Sequence, residues 1–210
     1  VEKQTLRLPP LEAGGGTPLP SLDGSRFAVG YSDLTIVSAS NPAESHRLPF
    51  SRRPIAFSPD GRRVAASTGF SVKVWDTSTW ENFELDSLPQ DQSELTALAF
   101  SPDGQNLTSG WSDGTILVHD CTLAPGQRVP VSFSGHRRSV RSLAYSHDGS
   151  LLLTSSDDGT AKVWHSITGE SKLTFSPGES TDVRCVYAEF SQDDKRILVV
   201  CPGAAYVLPL

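Results

Sequence analysis

Apolar and polar residues alternate in short runs along most of this chain. The clearest runs are "LTALAF" (95–100), "VRSLAY" (140–145) and "VYAEF" (186–190). Second apolar runs occur as "RVAAS" (63–67), "SLLLTSS" (150–156) and "RILVV" (196–200). Beyond a further polar turn come third runs, "VKVW" (72–75), "TILVH" (115–119) and "AKVW" (161–164). A period of two, rich in β-branched residues and broken by Gly, Asp and Ser about every 8–12 residues, predicts short antiparallel strands. No stretch carries the 3.6-residue period of an amphipathic helix. The pattern is that of an all-β chain built from repeated meanders.

One polar turn recurs between the first and second runs. It reads "SLDG" at Ser21–Gly24, "SPDG" at Ser58–Gly61 and Ser101–Gly104, "SHDG" at Ser146–Gly149 and "SQDD" at Ser191–Asp194. The last residues of these turns are 37, 43, 45 and 45 residues apart. Asp supplies a side chain that caps its own turn, and Gly tolerates positive φ. A four-stranded meander of about 45 residues cannot bury both of its faces alone, so copies must stack. The turns are then architecture, repeated because the unit is repeated and aligned along one face.

The segment "SGHRRSVRSLAYSHDGSLLLTSSDDGTAKVWHSITGE" (Ser134–Glu170) resembles a WD repeat, from its Gly-His opening to the Trp near its end. "ALAFSPDGQNLTSGWSDGTILVHD" and "IAFSPDGRRVAASTGFSVKVWDTSTW" resemble it too, the second with the literal pair Trp75-Asp76. The resemblance extends over roughly Ser21–Leu210 and is strongest in the three middle units. It implies a β-propeller of about five four-stranded antiparallel blades. The units are expected at about 21–50, 51–90, 91–133, 134–176 and 177–210, preceded by a strand and a Pro/Gly-rich lead-in over residues 1–20. The last unit ends after its third run. Either Thr5–Leu8 supplies its fourth strand and closes a five-bladed ring, or the chain is a section of a larger propeller. An open ring exposes strand edges, yet the start at Val1 and the small blade number favour a section, with further blades in a parent chain.

His136, Ser156, Asp158 and Trp164 occupy the positions where WD repeats place an internal hydrogen-bonded set. His, Ser and Asp are also the parts of a hydrolase triad. The resemblance implies a structural role instead, with His136 bonded to Asp158 and with Ser156 and the Trp164 indole completing the network. Other units depart from this set. One has His119 where Trp is expected and Trp111 where Ser156 falls; another has "TGFS" where the Asp turn should be; the last keeps none of it. Blades lacking the network rely on apolar packing, so unequal blade stability is expected.

The resemblance also implies that partners bind the face formed by inter-blade loops and tight turns. Residues expected there are Tyr31, Ser32, Phe70, Glu94, Trp111, Ser112, Arg137, Arg138, Asp157 and Arg184. Aromatic and Arg side chains are the usual anchors of interfaces. Trp111 has two readings, as a partner anchor at the rim or as filler for the space left by the missing Trp at 119. For Arg137 and Arg138 the plainer alternative is solvated loop charge.

Composition narrows the function classes. A net charge of −6 gives a phosphate backbone no global attraction, so nucleic acid is not an expected partner. No apolar run reaches the length of a membrane span. Cys121, Cys185 and Cys201 are widely spaced without a C-x-x-C, as in a reducing, intracellular and most simply cytoplasmic setting. His119, Asp120 and Cys121 are strand neighbours pointing to opposite faces and do not converge on a metal; His46, His147 and His165 read as isolated loop residues. No phosphate-binding loop or nucleophile elbow is present, so no catalytic residue, metal or cofactor is expected. The expected function is a non-catalytic scaffold that binds peptides or proteins. The alternative is a sensor or accessory propeller of a larger signalling NTPase or kinase whose catalytic part lies elsewhere.

Overall fold

The computed structural model describes residues 18–30, 32–41, 43–68, 71–85, 93–124, 126–178 and 184–210. Eighteen strands and no helix occur among them. The strands form five meanders, each antiparallel throughout. Blade 1 contains β1 (Leu19–Pro20), β2 (Arg26–Val29), β3 (Ser32–Ser38) and the first part of β4 (Ser45–Phe57). Blade 2 takes the second part of β4, then β5 (Arg63–Ser67), β6 (Val72–Asp76) and β7 (Asn82–Glu84). Because β4 runs unbroken for 13 residues, the first two blades form one seven-stranded sheet. Blade 3 is β8 (Leu95–Phe100), β9 (Asn106–Trp111), β10 (Ile116–Asp120) and β11 (Val131–Phe133). Blade 4 is β12 (Val140–Tyr145), β13 (Leu151–Ser156), β14 (Ala161–His165) and β15 (Ser171–Phe175). Blade 5 has three strands among the described residues, β16 (Tyr187–Phe190), β17 (Arg196–Cys201) and β18 (Ala204–Pro209).

Each repeated turn is a closed polar circuit. The Ser hydroxyl donates to the Asp carboxylate two residues on, at 2.6 Å in Ser21–Asp23, Ser58–Asp60, Ser146–Asp148 and Ser191–Asp193 and at 2.5 Å in Ser101–Asp103. The same hydroxyl oxygen accepts the N–H that opens the next strand, for example Leu151 at 2.9 Å. Gly24, Gly61, Gly104 and Gly149 have φ between +67° and +74°, and Asp194 takes the fifth place at +53°. The turns touch in succession. A side chain at Gly104 would meet Pro59 at 3.7 Å, one at Gly149 would meet Pro102 at 3.5 Å, and His147 N–H donates to Asp194 at 2.8 Å.

Apolar cores lie between blades, one per seam. Ala28, Leu34 and Ile36 of blade 1 meet Ile55, Val64 and Trp75 of blade 2. Ala56, Ala65 and Val74 meet Leu95, Leu107 and Trp111. Ile116, Val118 and Phe133 meet Val140, Leu152 and Trp164, while Leu153, Ala161 and Val163 meet Ala188, Ile197 and Val199. Second strands in the middle of the stack therefore carry small or apolar residues at nearly every position: β9 and β13 are buried from their second residue to their last. In β17 only alternate residues are buried. Five blades thus share four seams. The inner strands follow one another, β4 against β8, β8 against β12 and β12 against β16. Among the described residues no strand of blade 1 packs broadly on a strand of blade 5, so they form an arc. The segment Thr5–Leu8 lies outside the described residues. His46 and His165, expected in loops, lie in β4 and β14, and His46 stacks on Trp80 with ring centroids 4.0 Å apart.

Candidate interaction face

The polar set of blade 4 is built by three elements: the loop before β12, the strand β13 and the tight turn from β13 to β14. His136 Nδ1 lies 3.0 Å from Asp158 Oδ2, and its Nε2 lies 2.7 Å from Thr154 Oγ1. The Trp164 indole N–H donates to the same Thr154 oxygen at 3.0 Å. Asp158 also accepts the Arg137 N–H at 2.9 Å and the Thr160 hydroxyl at 2.6 Å. Burial alone would raise the Asp158 carboxyl, but the bonds from His136, Thr160 and Arg137 outweigh it and hold it well below the usual carboxylate range. Gly135 is required at the entry to this set. Its φ is +155°, and a Cβ there would stand 2.9 Å from the Trp164 ring.

Ser156 has a different place from the one expected of it. Its hydroxyl donates to the Arg138 carbonyl at 3.0 Å and accepts the Asp158 N–H at 3.1 Å; it reaches neither His136 nor Trp164. Register explains this. Leu152 pairs with Trp164 and Thr154 with Lys162, so Thr154 is the diagonal neighbour of the indole and Ser156 lies one step further along the same face. The sequence signal was available in the Thr two positions before Ser156, on the same side of the strand.

Trp111 is a second correction. It is 2% exposed and packs into the seam between blades 2 and 3, so it is no anchor on the partner-binding face. Its indole N–H donates to Ser109 Oγ at 3.0 Å. Superposing the turns Ser101–Gly104 and Ser146–Gly149 aligns Ser109 with Thr154, Trp111 with Ser156 and His119 with Trp164. The relay hydroxyl has therefore stayed in place while the indole that donates to it comes from β9 instead of β10. His119 is fully buried in the position of the missing Trp.

The remaining expected residues are distributed as follows. Glu94 is exposed, and its N–H donates to Ser112 Oγ at 2.9 Å. The Ser112–Gly114 turn lies under the loop of the next blade: a Cβ at Gly114 would stand 2.6 Å from the His136 carbonyl oxygen. Arg137, Arg138 and Arg184 are exposed, and Cys185 N–H donates to the Ser156 carbonyl at 3.0 Å, which sets Arg184 beside the blade 4 turn. Asp157 is buried and pairs with Arg141 of β12, a bond that raises the Arg141 guanidinium above its ordinary value. Glu94, Arg137, Arg138, Arg184 and the Arg141–Asp157 pair thus share the loop face of blades 3 to 5. Tyr31 and Phe70 lie outside the described residues. Among the described residues no three His, Cys, Asp or Glu side chains are grouped as for a metal ion, and no helix is long and apolar enough to cross a membrane.

The WD40 family, described as "WD domain, G-beta repeat", matches at residues 55–76, 84–120 and 127–165. The chain carries WD40 repeats. The three matches fall on blades 2, 3 and 4, the blades that hold Trp75, Trp111 and Trp164. Similar proteins include the COMPASS component SWD3 of Saccharomyces cerevisiae, 29% identical over 120 residues, covering 57% of this chain and 36% of that protein. The small ribosomal subunit protein RACK1 of Schizosaccharomyces pombe is 32% identical over 115 residues, covering 49% of this WD-repeat chain and 36% of its own length. The chromatin assembly factor 1 subunit FAS2 homolog of Oryza sativa is 30% identical over 128 residues, covering 54% and 25%. The chain spans about a quarter to two fifths of the length of such curated relatives.

Proposed function

We propose that this chain is part of a non-catalytic WD-repeat propeller that binds protein or peptide partners on its loop face. The observation that carries this reading is the occupancy of the triad-like set. The His136 side chain is fully buried, and both of its ring nitrogens are taken up by Asp158 and Thr154. Groups so enclosed hold the loops rigid and are unavailable to a substrate. What that rigid frame presents is Arg137, Arg138, Arg184 and Glu94, charged side chains that recognise partners at little ordering cost to the backbone. Protein complexes appear in the names of similar chains, such as the COMPASS component, and this supports protein partners; the setting proposed for them is intracellular and cytoplasmic. A role as sensor or accessory propeller of a larger signalling NTPase or kinase is supported only by the short span of the chain against its relatives.

The test is selection of binding peptides from a displayed random library on the immobilised chain. Binders that lose about tenfold or more in affinity to Arg137→Glu/Arg138→Glu and Arg184→Glu variants support the loop face. Binders indifferent to all three charges would place recognition elsewhere.

A further inference from the structure

On the face of the repeated turns, opposite the loops just described, the seam between blades 3 and 4 opens into a groove of about 740 Å³. Asp103, Asp120 and Asp148 line it, and no Lys or Arg does among the described residues. Its aliphatic lining is unusually exposed: Val129 is 82% exposed and Ile167 70%. Aliphatic side chains gathered in a concave acidic site are a combination that solvent alone does not favour.

The adjoining seam provides an internal comparison. Between blades 2 and 3 the corresponding recess is about 290 Å³. Its carboxylates Asp60, Asp76 and Asp103 are accompanied by Arg62 and Arg63, with Arg62 3.9 Å from Asp60, and no aliphatic side chain lines it. The difference arises in the link from third to fourth strand. Five residues join β6 to β7, whereas ten join β10 to β11, and the longer link ends in Val129 and Pro130, with Val131 opening β11. The longer link thus adds Val129 to the lining, the β14–β15 turn adds Ile167, and the turn carboxylates remain.

We infer that this groove docks a segment of a partner protein carrying a Lys or Arg beside an aliphatic side chain. The cation fits among Asp103, Asp120 and Asp148, and the aliphatic group fits against Val129 and Ile167. Each carboxylate is already oriented by its own turn, Asp103 by Ser101, Asp148 by Ser146 and Asp120 by Thr122. A cation therefore meets a set that needs no reorganisation. His147 and His165 also line the groove and Arg128 acts on Asp120 from nearby, but with three carboxylates and no Lys or Arg in the lining the site disfavours a phosphate, a nucleic acid or an anionic lipid.

The experiment is a titration of the ¹⁵N-labelled chain with the blocked peptide acetyl-Gly-Leu-Arg-Leu-Gly-amide, followed by amide shifts. Saturable shifts at 129, 131, 148–150 and 167, weakened about fivefold or more by salt and by Asp120→Asn, are the expected result. The double variant Val129→Ser/Ile167→Ser, confined to exposed side chains, should weaken binding by a similar factor with an unchanged melting temperature. Three outcomes overturn the inference: no saturable shift, equal binding of the peptide with Glu in place of Arg, or shifts confined to 112–114, 136–138 and 157–159. The last of these would leave the loop-face function standing without the groove. Shifts in the groove alongside library binders indifferent to the Arg variants would do the reverse.

Discussion

Blades 3 and 4 solve one packing problem in two ways. In blade 4 the indole comes from β14, as Trp164, and its N–H ends on Thr154. In blade 3 it comes from β9, as Trp111, and its N–H ends on Ser109, the residue equivalent to Thr154. Both rings pack toward the preceding blade, Trp164 against blade 3 and Trp111 against blade 2. Trp75 of blade 2 does the same toward blade 1, but Ala66 stands where the relay hydroxyl would be. Blades 2, 3 and 4 therefore each place a Trp ring in the seam toward the preceding blade. The strand that supplies it is exchangeable, provided an acceptor lies within reach of the indole N–H.

The largest effect should come from removing the rings. Trp111→Ala and Trp164→Ala should each cost about 3–5 kcal/mol in urea unfolding, because each leaves a cavity in a close-packed seam. A Trp111→Ala protein of near-normal stability would break the equivalence. The relays should separate the two blades. Thr154 serves two partners, His136 and Trp164, so Thr154→Val should cost about 2–4 kcal/mol; Ser109→Ala, with one indole to satisfy, should cost about 1–2 kcal/mol. Equal costs would show that the imidazole bond contributes nothing.

Acid sharpens the comparison further. The Asp158 carboxyl is lowered in the folded state, so as pH falls the unfolded chain takes its proton first. The stabilisation is fully present above the ordinary carboxylate range, about pH 4, and is lost as pH falls toward the folded value. The gap in melting temperature between the parent and Asp158→Asn chains should therefore hold from pH 7 to about pH 4 and narrow as pH falls further. A gap that stays constant below about pH 4 would remove the Asp158 charge from the account. The smallest effect is expected at the surface: Arg137→Ala and Arg138→Ala should change stability by less than about 0.5 kcal/mol, while partner affinity falls.

The strands and the repeat were legible because alternation and the Ser-x-Asp-Gly turns are local properties. The direction of Trp111 was not. Alternation tells which residues share a face, and in β9 both faces are buried, so neither the rim nor the seam is marked in the sequence. The choice between Thr154 and Ser156 needed the pairing of Leu152 with Trp164, which is a long-range register. His136 and Asp158 were legible through the resemblance to a WD repeat, whose Gly-His opening and Asp-Gly turn they match. The acidic groove was hidden for a different reason. It depends on where the link from Cys121 to Pro130 folds back, and no periodicity governs such a link.

The unbroken strand β4 bears on how the arc comes apart. Elsewhere among the described residues no strand is shared between blades, and neighbouring blades are free to separate once their seam loosens. Blades 1 and 2 share the backbone hydrogen bonds of a single strand, with β3 on one part of its length and β5 on the other. The continuous backbone couples the two pairings, which meet at Arg52, so the two blades are expected to open as one cooperative block. In native-state hydrogen exchange the amides of β3, β4 and β5 should report a common opening energy, and pulling on either end of that block should release it in a single step.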